Sequence, residues 1–87
     1  NSDMEKPYFY HRFMVEMPIR NGYFESFVTF LKEFCRWRDI RIEWVRNVEG
    51  AGYTSVTFIL HGDYLRPTTL VSLGRAWQSE LVRLARK

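Results

Sequence analysis

The stretch FMVEMPIRNGYFESFVTFLKEFCRWRDIRIEWVRNVEGAGYTSVTFIL, Phe13 to Leu60, decides the fold. Its first part belongs to a strand predicted over Tyr8–Met17. There Phe9, His11, Phe13, Val15 and Met17 alternate with Tyr8, Tyr10, Arg12, Met14 and Glu16. Period-two alternation is the mark of a half-buried strand. Pro18 has no N–H for a ladder bond and is expected to close it. Ile19-Arg20-Asn21-Gly22 then turns the chain. Asn21 is expected to cap a helix from about Gly22 to about Arg36, with Glu25 in its first turn, where a carboxylate suits the helix dipole. Phe24, Phe27, Val28, Leu31, Phe34 and Cys35 fall on one face at the helical period.

A second strand follows, in which Ile40, Ile42 and Trp44 alternate with Arg41, Glu43 and Val45. Asn47–Gly52, with two glycines, reads as a hairpin connection. In the third strand, Tyr53–His61, Thr54, Val56, Phe58 and Leu60 share one face. Thr68 or Thr69 is expected to cap a second helix just after Pro67. Leu70, Leu73, Trp77, Leu81 and Leu84 form its apolar stripe, and Gly74 on that stripe would permit close approach to the sheet. The order β-α-β-β-α predicts an α+β, ferredoxin-like two-layer sandwich: an antiparallel sheet with two helices on one face. Such a sandwich has a fourth strand after the second helix, and none follows here. The expectation is that this strand is either missing or supplied by another chain, and an uncovered sheet edge invites pairing with a partner.

Eighty-seven residues suit one domain, predicted over residues 8–87 behind a flexible lead or tag remnant at 1–7. So short a chain has little stability to spare, but its 17% aromatic content compensates through the large area each ring buries. The net charge of +3 is spread over thirteen bases and ten acids, which describes a solvated, mixed surface. Cys35 is the one cysteine, so no internal disulfide forms. Its place on the apolar helix face marks it as a small buried hydrophobe. No apolar run is long enough for a membrane span.

Catalytic patterns are absent. There is no phosphate loop, nucleophile elbow, zinc-protease helix or dinucleotide fingerprint. His11 and His61 lack metal-ligand spacing, and Asp39 and Glu43 lie on different elements. The expectation is a non-enzymatic chain without metal or cofactor. Tyr23, Phe30 and Trp37 recur every seven residues and widen the apolar helix face, making them candidate partner contacts. Arg36, Arg38 and Arg41, with Trp37 between them, form the densest basic patch, a candidate for anions or nucleic acid. Gly52–Phe58 has a faint likeness to an RNA-recognition motif. It lacks the preceding base, and Ser55 stands where a stacking aromatic would, so nucleic acid ranks last among the partners.

Two resemblances bear on the first three elements. Gly22, Phe24, Phe30, Leu31 and Ile40 form a pattern similar to the globular domains of the PilO and GspM type, from the alignment complexes of type IV pilus and type II secretion machines. That resemblance implies a scaffold domain in a periplasmic assembly. The turn Ile19–Phe24 resembles that of ACT-type regulatory domains, which implies a small-molecule effector at Asn21 and Gly22 and fits a cytoplasmic setting. The leading expectation is therefore a protein–protein interaction module, a homodimer or part of a larger assembly, with ligand sensing as the alternative.

Overall fold

The computed structural model describes residues 11–86. Residues 1–7 of the expected lead, and Tyr8 to Tyr10 of the expected first strand, lie outside them. The element order is β1 (His11–Arg20), α1 (Phe24–Arg36), β2 (Arg41–Glu49), β3 (Tyr53–Gly62) and α2 (Pro67–Ala85). The fold is α+β with three antiparallel strands in the order β1-β3-β2. A ferredoxin-like sandwich normally has four strands; the described residues form three.

The most apolar strand lies at the centre, as burial requires. β3 is flanked on both sides and buries Val56, Phe58 and Leu60 completely. These face Phe27 and Leu31 of α1, and Leu73 and Trp77 of α2, in one core cluster. Phe27 joins α1 to β3 and α2: its ring centroid is 6.0 Å from Phe58 and 5.1 Å, edge-on, from Trp77. The predicted stripe of α1 is therefore the buried one, with Phe27, Leu31, Phe34 and Cys35 inside. On α2 only Leu73 and Trp77 are fully buried, and Leu70, Leu81 and Leu84 are half-covered.

Several boundaries differ from the sequence reading. Pro18 does not close β1; the strand continues to Arg20, with Pro18 opposite Ser55. An edge strand tolerates proline when the missing N–H would have faced outward. Asn21 does not cap α1. The N-cap is Tyr23, without a side-chain cap bond, and the helix begins at Phe24 rather than Gly22. Gly22 instead supplies a left-handed turn at φ 97°. Asn47, Val48 and Glu49 belong to β2 rather than to the connection. A β-bulge between Trp44 and Arg46 inserts Val45 and resets the alternation, so Asn47 faces Val56.

At α2 the N-cap is Arg66, and Pro67 occupies the first turn, where its missing N–H costs nothing. Thr69 supports the start from inside, its hydroxyl accepting from the Arg66 N–H at 3.1 Å. Gly74 makes no close approach, since a Cβ built there meets nothing within 4 Å.

Candidate functional site

The two edges of the sheet are built differently. β2 carries Arg41, Glu43, Arg46 and Glu49, nearly all its residues are exposed, and the bulge at Val45 breaks its line. Charge and a bulge blunt an edge against pairing. β1 pairs with β3 over ten residues in unbroken register, from His11 opposite Gly62 to Arg20 opposite Tyr53. Its other side has no partner strand among the described residues.

Main-chain geometry assigns the groups on that free side. The Asn21 N–H donates to the Gly52 carbonyl at 2.9 Å, extending the β1–β3 ladder by one position. Odd-numbered residues of β1 thus direct their N–H and C=O toward β3, and even-numbered ones direct theirs outward. Pro18 is even-numbered, and its absent N–H falls on the open side. Arg12, Met14 and Glu16 present the outward amides. Their side chains stand on the helix-free face of the sheet, where Met14 is 68% exposed.

α2 overhangs this edge. Between its C-terminal half and the Met17–Arg20 end of β1 lies a mostly apolar groove of about 570 Å³. Tyr23, Trp77, Leu81 and Val82 form its walls. Val82 is 53% exposed, a large apolar side chain left in solvent beside an unpaired strand. The half-burial of Leu81 has the same origin, because among the described residues no strand lies beyond β1 to cover the far side of the helix.

The residues singled out by sequence occupy separate places. Tyr23 lines the groove. Phe30 packs between the helices, 5.2 Å from Trp77 and 5.9 Å from Phe34 by ring centroids. Trp37 lies past the end of α1, 77% exposed, with the Arg36 guanidinium 5.6 Å from its ring centroid. The three do not form one surface. α1 lies between Tyr23 and Trp37, and thirteen residues of helix span about 20 Å.

The basic patch is likewise dispersed. Arg36 pairs with Glu33 at 2.8 Å. Arg38 lies 3.7 Å over the Phe34 ring and donates to the Phe34 carbonyl. Arg41 stands exposed on β2, opposite His61. His61 is buried and bonds Glu43 Oε1 at 2.9 Å. His11 is exposed and pairs with Gly62, so the two histidines belong to adjacent strands without sharing a face.

At the Asn21–Gly22 turn a shallow cavity of about 290 Å³ is bordered by Phe24, Asn47, Glu49 and Thr54. The Asn21 amide is committed there: Nδ2 donates to the Gly50 carbonyl at 3.1 Å, and Oδ1 accepts from the Thr54 hydroxyl at 2.8 Å. Cys35 is fully buried. Burial pushes its thiol up to about 11, the Arg38 guanidinium offsetting only part. A nucleophilic thiolate needs the opposite environment.

Among the described residues no group of His, Cys, Asp and Glu could hold a metal ion, and no helix is long and apolar enough to cross a membrane. No family model, curated protein or solved structure matches the chain.

The groove was the part of the site that sequence reasoning missed, and the expected uncovered edge was not assigned to β1. Pro18 inside an alternating run was the available signal. Read as an edge-strand marker rather than a terminator, it would have pointed to β1.

Proposed function

We propose that this chain is a non-enzymatic, ferredoxin-like interaction module that self-associates through its sheet edge. One observation carries the reading: β1 offers an unbulged edge bordered by an apolar groove under α2, while a bulge interrupts the β2 edge. The groove lies where the fourth strand of a ferredoxin-like sandwich would run. A strand paired along β1 bonds the outward amides of Arg12, Met14 and Glu16 and runs toward the mouth of the groove at Met17. A scaffold domain of the pilus or secretion type is the specific version of this reading. Sedimentation equilibrium over a wide concentration range tests it. Reversible dimerisation is expected, and a strict monomer at the highest concentrations overturns it.

Sensing of a small molecule at the Asn21–Gly22 turn is the second reading, drawing on the cavity of about 290 Å³ there. The Asn21 amide is already satisfied by Gly50 and Thr54, which ranks it below self-association. Calorimetric titration with amino acids separates the two, since heat from any of them would favour the turn.

A further inference from the structure

The edge of β1 carries information about register as well as a site for pairing. Arg12, Met14 and Glu16 alternate along it, all exposed, with their main-chain groups directed outward. A second copy approaching antiparallel meets the same series in reverse order. Only certain alignments place even-numbered residues opposite even-numbered ones, as exchange of hydrogen bonds requires.

Centring the two-fold axis on Arg12 or on Glu16 sets like charges directly opposite each other, which is unfavourable. Centring it on Phe13, Val15 or Met17 leaves Arg12 and Glu16 without a charged residue directly opposite. Centring it on Pro18 pairs Glu16 with Arg20 but places two prolines, neither with an N–H, at the middle of the ladder. Centring it on Met14 places each Arg12 opposite the second copy's Glu16 and each Met14 opposite its counterpart. It also keeps both prolines outside the run 12–16.

We infer that the chain forms a two-fold dimer by antiparallel pairing of β1 with β1 of a second copy, in the register that sets Met14 against Met14 and Arg12 against Glu16. The inference rests on the self-association reading and adds its geometry. The interface is isologous, as two-fold symmetry demands. The three even-numbered pairs exchange about six main-chain hydrogen bonds. The two sheets become one of six strands, closed at both ends by the bulged, charged β2 edges. Phe13 and Val15 of each copy face each other on the helix-covered side and extend the apolar layer across the seam. The second copy's His11 reaches Met17, at the mouth of the groove under α2. Glu16 keeps its bond from the Ser55 hydroxyl through Oε2, and Oε1 remains for the arginine.

Two measurements on the full chain test the register. In the first, Met14→Cys and, separately, Val48→Cys on β2 are equilibrated in a glutathione redox buffer. Wild type is the control, because its one thiol, Cys35, is buried. Directly opposed residues in an antiparallel pair have Cα atoms about 5.5 Å apart, within disulfide reach. Covalent dimer is expected for Met14→Cys alone. In the second, Arg12→Glu and Glu16→Arg are each expected to weaken dimerisation at least tenfold, and the double exchange to restore it to within about threefold of wild type.

Restoration by the double exchange also excludes misfolding as the cause of the single losses. A dimer that cross-links through Val48→Cys and not Met14→Cys, or one indifferent to the charge exchanges, overturns the register and leaves self-association standing. A chain monomeric at all concentrations overturns both.

Discussion

The side chain of Asn21 accepts a hydrogen bond of 2.8 Å from the hydroxyl of Thr54, thirty-three positions along the chain. The same amide donates to the Gly50 carbonyl at 3.1 Å, and the Asn21 main-chain N–H bonds the Gly52 carbonyl. One residue therefore ties the β1–α1 turn to the β2–β3 hairpin and fixes the end of the ladder.

Asn21→Ala removes both side-chain bonds and leaves the buried Thr54 hydroxyl without its acceptor. A loss of about 1–2 kcal/mol is expected in urea unfolding. Asn21→Asp keeps the acceptor for Thr54 and loses only the donor to Gly50, so it is expected to cost about half as much. Equal stability of wild type and Asn21→Ala would show that the turn and hairpin hold together without this bridge.

Gly74 lies inside α2 with open space where a Cβ would be. Nothing in the packing repays the entropy that a helical glycine loses on folding. Gly74→Ala is expected to raise stability by about 0.5–1 kcal/mol, read as a higher melting temperature. A lower one would mean that α2 packs more closely there than the structure shows.

The Cys35 thiol, ordinarily at 9.0, stands at about 11 in the folded chain because burial opposes its ionisation. Above pH 9 the unfolded thiol releases its proton while the folded one retains it, so the unfolded state gains free energy relative to the folded. The contribution to stability is whole below pH 9 and declines as pH rises toward 11. Denaturation curves of wild type and Cys35→Ala, measured over that range, are expected to converge as pH rises. Parallel curves would mean that the thiol ionises equally in both states.

Val82 forms part of the groove wall, and Val48 is equally exposed on the opposite edge of the sheet. Val82→Lys is expected to weaken self-association with little change in monomer stability, since it sets a charge beside the paired edge and a half-exposed lysine keeps that charge in water. Val48→Lys is expected to change neither. Equal effects from both would point to non-specific contact rather than to the β1 side.

The architecture was legible because burial alone fixes it. Val56, Phe58 and Leu60 on β3, and Phe27, Leu31 and Phe34 on α1, carry the two periodicities cleanly, and each lies in the core. The termini of the elements were harder to read, because single residues there have two physical uses. Proline stops a central strand but sits freely on an edge, and only the sheet order reveals which applies to Pro18. Asparagine caps helices and also bridges turns; the partners Gly50 and Thr54 are distant in sequence, so Asn21 looked like a cap. Val45 hid a bulge because one inserted residue shifts the alternation without breaking it. Tyr23, Phe30 and Trp37 shared a period, but only Phe30 is packed between the helices, and Trp37, past the end of α1, stays exposed. The groove was invisible in the sequence because it arises from α2 overhanging a strand sixty residues earlier.

Amide hydrogen exchange along β1, followed by NMR at low and high protein concentration, tests self-association through this edge most directly. Phe13 and Val15 donate to β3 and are expected to be protected at every concentration. The outward amides of Met14 and Glu16 are expected to exchange rapidly in dilute solution and to become protected as the chain is concentrated. Rapid exchange at Met14 and Glu16 under all conditions, or new protection confined to β2, would contradict pairing through β1.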